Sequence, residues 1–253
     1  MEFDRRRTLK FIAGLAACPL CASGVRAADG AHWSYEGAEG PSHWGALDAA
    51  SRVCSTGSQQ SPIDIGATIR AELPPLKIEW ANSVDAIVNN GHTIQLNAGP
   101  GSTLSLGGDQ YRLVQFHFHR PSEHLIDGKR FPMEAHFVHQ HPSGGLAVVG
   151  VLMTTDQPNP VFETIVATMP GQEGPATKAD PAIDPNGLLP GNLAYYRYSG
   201  SLTTPPCAET VEWLLLTEPV EVAEADVARF AKLYPMNARP VQKDNRRFVL
   251  RSG

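Results

Sequence analysis

The sequence predicts a mainly β protein, a single domain on a large, mostly antiparallel and twisted central sheet with a few short peripheral helices. Its 253 residues include 23 glycines and 21 prolines, so turn signals recur about every ten to fifteen residues. Short segments of alternating apolar and polar residues lie between these turns. Helical spacing occurs in two segments, and 42% apolar residues over this length suit one β-rich domain.

Seven segments have the length and composition of strands. They span residues 87–89, 93–96, 111–119, 134–141, 146–153, 195–199 and 211–216. A first helix is expected where Asn159 can cap, Pro160 suits the first turn, apolar residues follow at helical spacing and Gly171 ends the run. A second helix is expected over residues 223–234.

The N-terminus is typical of an export signal. Basic residues precede an apolar run over residues 11–22 that is too short to span a bilayer. We expect cleavage after Ala27, which leaves residues 1–27 as the signal and 28–253 as a periplasmic domain. Residues 5–10, RRRTLK, resemble a twin-arginine signal. An alternative stays open, because residues 15–18 resemble a lipobox that would leave Cys18 lipid-anchored.

Charge excludes one class of partner. The formal net charge is −5, and basic residues form no cluster beyond the N-terminus. Nucleic-acid binding needs such a cluster, so none is expected. No other segment is long and apolar enough to be a transmembrane span.

Removal of the signal leaves two cysteines, Cys54 and Cys207. In an exported chain this count favours one disulfide over two free thiols. Cys18 and Cys21 form a CxxC pattern, but they lie inside the signal.

Two predicted strands carry histidines in alternation. Residues 115–119, QFHFH, place Gln115, His117 and His119 on one face. Residues 134–140 place Glu134 and His136 on one face in the same way. If the strands are neighbours, His136 can join His117 and His119 as a third ligand. Three neutral imidazoles with an open fourth position are typical of catalytic zinc.

Acceptors for the outer ring nitrogens are close in sequence. Glu134 is two residues from His136, and Gln115 is two residues from His117. Metal-bound imidazoles commonly donate their second N–H to such groups. Histidines in strands also serve as ordinary core or surface residues, and this spacing alone leaves both interpretations open.

Residues 200–207, GSLTTPPC, follow a predicted strand. The segment is either a structural turn or a functional loop. Its proline pair makes the preceding threonines rigid, which is unusual for a simple turn.

These motifs together resemble the α-class carbonic anhydrases of the bacterial periplasmic type, over about residues 32–249. The matching segments are HWSY (32–35), GPSHW (40–44), QSPIDI (60–65), NNGH (89–92), QFHFH (115–119), SEH (122–124), EAHFVH (134–139) and SLTTPP (201–206), followed by Asn237, Arg239, Pro240 and Gln242.

The resemblance implies reversible hydration of carbon dioxide to bicarbonate and a proton. Zinc-bound hydroxide would attack CO₂ held in an apolar pocket, with Zn²⁺ on His117, His119 and His136. The small-molecule partners would be CO₂, bicarbonate and water, with sulfonamides or anions as inhibitors. A homodimer is also possible.

The resemblance also assigns roles around the metal. Gln115 and Glu134 would orient His117 and His136. The Thr203 hydroxyl would accept a hydrogen bond from the hydroxide and donate one to Glu123, because a carboxylate can only accept. The apolar pocket would be lined by Val138, Val148, Leu202, Thr204, Val211 and Trp213. Plain core packing is the alternative for these residues, and it is weaker for Val138 and Leu202, which belong to a ligand strand and to the Thr203 loop.

His92 would be the proton shuttle, although a lone histidine after Asn-Gly is also a common exposed turn residue. Tyr35, Asn90 and Gln95 would order the water chain that leads to it. Gln95 departs from the asparagine of the best-known animal forms, which puts the water path in doubt more than the zinc site. A Cys54–Cys207 bridge would clamp the loop that carries Thr203.

Two other functions stay open at this point. Some relatives with this fold serve in recognition and lack zinc ligands, so a catalytically silent binding module is one alternative. A zinc esterase is the other.

Overall fold

The computed structural model describes residues 32–253. The expected signal, its cleavage site and the lipobox cysteine Cys18 lie outside the described residues. Within residues 32–253 the structure contains no helix that is long and apolar enough to cross a membrane.

Sixteen strands form in the described part of the chain. They are β1 Asp64–Ile65, β2 Ile69–Ala71, β3 Lys77–Glu79, β4 Val84–Asn89, β5 Ile94–Ala98, β6 Thr103–Leu106, β7 Asp109–His119, β8 Leu125–Ile126, β9 Lys129–Arg130, β10 Met133–Gln140, β11 Leu146–Thr154, β12 Thr177–Lys178, β13 Tyr195–Gly200, β14 Val211–Leu216, β15 Val220–Glu221 and β16 Leu250–Ser252.

Helices are few and short, as the sequence predicts. Residues 32–253 contain three α-helices, α1 Val53–Thr56, α2 Pro160–Thr168 and α3 Glu224–Phe230, and three 3₁₀ turns, Gly37–Glu39, Trp44–Ala46 and Pro185–Leu188.

Thirteen strands form one sheet in the order β12-β4-β5-β7-β10-β11-β14-β13-β16-β2, with β3, β6 and β15 off this path. Its pairings are antiparallel except those of β11 with β14 and β15, and of β16 with β2. The other three strands form a small sheet in the order β1-β8-β9. The predicted large, mostly antiparallel sheet with peripheral helices is therefore confirmed.

All seven predicted strands are present, with ends that differ by up to three residues. The additional strands have two to four residues each, so they are too short to have a readable period.

Both helices end earlier than predicted. The Asn159 side chain caps α2 by accepting from the backbone N–H groups of Val161 and Phe162. The helix then ends at Thr168 rather than near Gly171, because Met169 precedes a proline and is extended. After α3, the N–H groups of Lys232 and Leu233 bond three residues back, so the chain tightens into a turn instead of continuing to residue 234.

The two faces of the large sheet bury separate apolar clusters. Phe116, Phe118 and Phe137 belong to the larger cluster, which α2 and α3 cover. Val148 and Trp213 belong to the smaller cluster on the opposite face. The alternation of β7 and β10 therefore places phenylalanines on one face and leaves their polar neighbours for the other.

One irregularity interrupts the pairing of β7 with β10. Val138 pairs with Gln115, whereas the next residue, His139, pairs with Leu113. Val114 is thus the unpaired residue of a β-bulge. Beyond the bulge, Leu113 is fully buried in the same cluster as Phe116.

Candidate metal centre

Strand register brings the three predicted ligand histidines together. His136 on β10 pairs directly with His117 on β7, and His119 lies two residues further along the same face. The ring centroids of His117 and His119 are 5.0 Å apart, and those of His119 and His136 are 4.5 Å apart. One ring nitrogen of each residue lies within 4.8 Å of the other two. This is a possible three-ligand metal site.

Each ring has an acceptor on the nitrogen that points away from this common point. Nδ1 of His117 lies 2.8 Å from Gln115 Oε1. Nδ1 of His119 lies 2.8 Å from the backbone carbonyl oxygen of Asn237. Nε2 of His136 lies 2.8 Å from Glu134 Oε1.

These three acceptors fix the tautomers. A carbonyl, an amide oxygen and a carboxylate can only accept, so each proton lies on the outer nitrogen and each inner nitrogen keeps its lone pair. The inner Nε2 of His119 is buried and has no hydrogen-bond partner. The three inner ring nitrogens therefore present lone pairs to a common point, as the ligands of a zinc ion do.

Burial keeps these imidazoles neutral. It lowers the pKa of His119 to about 4, and it lowers the pKa of His136 from its usual value. His117 keeps some solvent exposure, yet burial and the two neighbouring histidines hold its pKa well below the usual range. Neutral imidazole is the metal-binding form. The donor set fits Zn²⁺, which takes three protein ligands in catalytic sites.

Glu134 is saturated with hydrogen bonds. Its Oε2 accepts the backbone N–H groups of Glu123 and His124, and its Oε1 contacts the rings of His124 and His136. Burial alone would raise the pKa of Glu134, but His124 and His136 hold it well below its usual range. His124, Glu134 and His136 also lie close enough to ligate a metal. Their mutual hydrogen bonds make this cluster a support for the first one.

Glu123 lies fully buried beside the ligand histidines. Its Oε1 accepts the backbone N–H of Arg239 at 2.7 Å, and its Oε2 is 3.9 Å from Nδ1 of His136. Burial raises the pKa of Glu123 to about 7, against the lowering effects of His136, the Arg239 N–H and a side-chain hydrogen bond from Thr203. The Thr203 contact falls short of standard geometry, since Oε2 of Glu123 has no regular hydrogen bond.

A disulfide fastens the Thr203 loop to α1. Cys54 and Cys207 are bonded, with their Cα atoms 5.0 Å apart. Gln60 Nε2 adds a hydrogen bond of 3.1 Å to the Cys207 carbonyl oxygen. The bridge expected from the cysteine count and the resemblance is present.

The structure also brings most of the predicted pocket residues into one cluster beside the histidines. Pairing places Val138, Val148 and Trp213 next to one another across β10, β11 and β14. Val211 belongs to the same cluster, and Leu202 packs against it. Thr204 is half-buried in the adjoining loop.

Gly150 is required where this apolar wall meets the histidines. It pairs with His136, and a Cβ there would lie 2.7 Å from a Leu215 methyl group and 3.3 Å from Glu134 Oε1. The missing side chain lets the Glu134 carboxylate pack against β11.

His92 is half-buried in a turn before β5 and stacks on Trp33, with ring centroids 3.6 Å apart. The Asn90 side chain shapes the turn by accepting the backbone N–H groups of His92 and Thr93. Burial lowers the pKa of His92, and Glu173 opposes that effect. His92 is therefore more than an exposed turn residue.

The other two predicted water-path residues lie on different elements. Gln95 pairs with His117 across β5 and β7, and its Nε2 donates to Asn97 Oδ1 at 2.8 Å. Tyr35 is half-buried beside Trp33, and burial raises its pKa well above the usual value.

Two site residues to which sequence patterns assign no role come from the irregular segment before β16. The Asn237 carbonyl holds His119, and its side-chain amide donates to the carbonyl oxygens of His92 and Phe118. The buried Arg239 guanidinium donates to the carbonyl oxygens of Ser61 and Cys54. The available signal was that both residues match the carbonic anhydrase pattern.

Comparison with known proteins identifies relatives along most of the chain. The family model described as eukaryotic-type carbonic anhydrase matches residues 39–253. A carbonic anhydrase of Pectobacterium carotovorum is 41% identical over 225 residues, which cover 88% of this chain and 92% of that protein. One from Neisseria gonorrhoeae is 43% identical over 221 residues, which cover 87% of each chain.

A solved structure also matches this chain over most of its length. The α-carbonic anhydrase of Thermovibrio ammonificans, determined with the inhibitor sulfanilamide, matches with a TM-score of 0.85 and 44% identity. The match covers 87% of this chain and 99% of that one.

Proposed function

Because the chain belongs to the eukaryotic-type, or alpha, carbonic anhydrase family, we propose that it catalyses the reversible hydration of CO₂ to bicarbonate and a proton with one Zn²⁺ ion. The observation that carries the proposal is the convergence of three neutral imidazoles with inward lone pairs. His117, His119 and His136 would hold the ion. When bound, zinc supplies the Lewis acidity that makes water a competent nucleophile near neutral pH.

The apolar wall prepares the site for a small nonpolar substrate. Val148 and Trp213 are nearly inaccessible to solvent, and Val138 and Leu202 are half-buried beside them. A surface of this kind excludes ordered water and can hold CO₂ by dispersion contacts alone. Bicarbonate, which is charged, is less well accommodated there and leaves more readily.

Thr203 and Glu123 orient the attacking oxygen in this proposal. In the metal-loaded site the Thr203 hydroxyl would donate a hydrogen bond to the Glu123 carboxylate, so that the Thr203 oxygen is left as an acceptor. An acceptor fixed beside the ligand histidines selects one orientation of the nucleophile, which reduces the entropic cost of the reaction. The rigid loop and its disulfide hold Thr203 in place.

His92 moves the released proton to buffer. A half-buried imidazole in contact with solvent is suited to proton transfer near neutral pH. Stacking on Trp33 gives the ring a defined position. Tyr35, Asn90 and Gln95 order the water between the ligand histidines and His92, although the Asn90 oxygen and the Gln95 amide already have partners within the protein.

Stopped-flow CO₂ hydration by the purified protein, loaded with one zinc per chain, tests the proposal. We expect rapid hydration that sulfanilamide abolishes and that removal of zinc eliminates. An ester substrate is assayed in parallel. Faster ester hydrolysis with negligible CO₂ hydration would indicate a zinc esterase, and no turnover of either would indicate a silent binding module.

We also propose that the protein is exported to the periplasm. The basic and apolar pattern before Ala27 supports this location, and bacterial relatives in the same family match the remaining chain. Mass spectrometry of the exported protein distinguishes cleavage after Ala27 from a lipid on Cys18. Sedimentation analysis of the same sample determines whether it is a homodimer.

A further inference from the structure

A chain of buried hydrogen bonds leads away from the ligand histidine His136. Glu134 Oε1 lies 2.8 Å from Nε2 of His136 and 2.7 Å from Nδ1 of His124. The other ring nitrogen of His124 lies 2.6 Å from the hydroxyl oxygen of Tyr198. All four side chains are at most 2% exposed. An unbroken chain of hydrogen bonds therefore connects His136 on β10 to Tyr198 on β13.

The same chain continues into the loop that carries Thr203. The Tyr198 hydroxyl lies 3.0 Å from Ser61 Oγ. Ser61 Oγ accepts the backbone N–H of Ser201 at 3.1 Å, and Ser201 Oγ accepts the backbone N–H of Ser61 at 2.9 Å. Ser201 precedes Thr203 by two residues, so the chain ends at the base of the functional loop.

Trp213 packs along the length of this chain. Its ring centroid is 4.8 Å from those of both His124 and His136, and its plane is within 7° of the Tyr198 ring. Its Nε1 donates to the Ser201 carbonyl oxygen at 3.1 Å. The polar chain is thus enclosed by an aromatic side chain that touches both ends.

The Tyr198 hydroxyl is the junction between the two halves. It has a single proton, so it donates in one of its two hydrogen bonds and accepts in the other. Its removal would leave a ring nitrogen of His124 and the Ser61 hydroxyl without their shared partner. In a low-dielectric interior, members of such a network depend on one another.

We propose that Tyr198 is a positioning residue that couples metal retention by His136 to the placement of the Thr203 loop. Groups that hold the ligands' hydrogen-bond partners influence metal affinity. The same hydroxyl holds Ser61, which anchors Ser201. The proposal rests on the proposed function only for the roles of zinc and Thr203 in the reaction.

The test compares Tyr198→Phe with Tyr195→Phe. Tyr195 lies on the same strand, is 1% exposed, and donates its hydroxyl proton to the Pro74 carbonyl oxygen at 2.7 Å, on the other side of the sheet. Each variant therefore loses one buried hydroxyl. The measurements are the rate of zinc release to a chromogenic chelator and the hydrogen exchange of the backbone amides of residues 200–204 and 207 with and without zinc.

We expect zinc release from Tyr198→Phe to be about 3- to 10-fold faster than from the wild type, which is less than the effect of a direct partner of a ligand. In the wild type, zinc should protect the backbone amides of residues 200–204 and 207, and this protection should be lost in Tyr198→Phe. Tyr195→Phe should match the wild type in both measurements even if its melting temperature falls.

Ser61→Ala cuts the chain one step closer to the loop and should also accelerate release. The double variant should release zinc no faster than Tyr198→Phe, because both substitutions interrupt one chain. Any of three results would overturn the coupling. They are a wild-type rate of zinc release from Tyr198→Phe, additive effects of the two substitutions, and hydrogen-exchange protection of the loop that is the same with and without zinc. Neither readout requires CO₂ hydration, so a zinc-binding but inactive wild type would refute the proposed function alone.

Discussion

Buried histidines on the two faces of the central sheet have different surroundings and hydrogen-bond partners. His136 and His139 lie three residues apart on β10, and burial lowers the pKa of both imidazoles. On the core face, Nε2 of His139 accepts the indole N–H of Trp80 at 3.0 Å and the ring lies among apolar side chains. On the site face, the outer nitrogen of His136 is bonded while its inner nitrogen meets those of two other histidines. Burial is common to both faces, whereas converging lone pairs distinguish the metal site.

The largest expected effect comes from removing a ligand on the site face. His119→Ala leaves two imidazoles, and catalytic zinc sites require three protein ligands. We expect loss of bound zinc and a fall of CO₂ hydration to the uncatalysed rate. Metal analysis of the dialysed protein and stopped-flow assays measure both.

His139→Ala is the matched change on the core face. It should keep one zinc per chain while losing about 2–4 kcal/mol of unfolding free energy from a buried cavity. Loss of zinc from the folded His139→Ala protein would show that the two faces are not separable.

The second largest effect should follow reduction of the Cys54–Cys207 bridge, which spans a sequence separation of 153 residues. The chain-entropy model gives about 4–5 kcal/mol for a loop of this length. We expect a lower melting temperature and impaired refolding, with zinc initially retained. Thiol titration shows when reduction is complete. If stability is unchanged at that point, the expectation is contradicted.

Thr203→Ala should affect the reaction more than the metal. The variant loses the acceptor that orients the nucleophile, for which a decrease of about 100-fold in kcat/KM is expected. Zinc content should stay at one per chain. Thr203→Ser restores the hydroxyl and serves as the control, and a wild-type rate in Thr203→Ala would argue against the orienting role.

His92→Ala should slow turnover by at least about tenfold when buffer is dilute, because the proton then lacks its carrier. Added imidazole should restore much of the rate. Full activity in dilute buffer would remove the shuttle role from His92 while leaving the metal site intact.

The smallest expected effect is a shift in pH dependence in Glu173→Gln. Glu173 raises the pKa of His92, against the lowering effects of burial and of His32. Loss of its charge should lower the pKa of His92. The imidazole must be neutral to accept a proton, so the rise of kcat with pH should move to lower pH. A pH profile in dilute buffer measures the shift, and movement to higher pH would contradict it.

The sequence predicted the elements that are long enough to show a clear periodicity. The alternation around His117 and His136 identified β7 and β10 and the faces of their side chains. Strands of two or three residues, such as β1, carry no periodicity and were missed. The ends of α2 and α3 depended on Pro170 and on tight turns, which the apolar spacing does not report.

The candidate site was predictable where side chains carry the chemistry. The contribution of Asn237 was not, because the group that holds His119 is a backbone carbonyl, which every residue possesses. The backbone N–H that Arg239 donates to Glu123 is equally invisible in sequence. The stack of His92 on Trp33 joins residues far apart in the chain, so local patterns did not indicate it.

The bulge at Val114 protects the site against changes in chain length. The Gly107–Gly108 turn sets the register of the outer half of β7 against β6, whereas β5 pairs only with the inner half and β10 pairs with both halves across the bulge. A one-residue slip along an unbroken strand would turn every side chain to the opposite face. Because β7 already accommodates one unpaired residue, a residue gained or lost in the outer hairpin can be absorbed there. We therefore expect a one-residue insertion in the β6–β7 turn to leave the orientation of His117 and His119 unchanged.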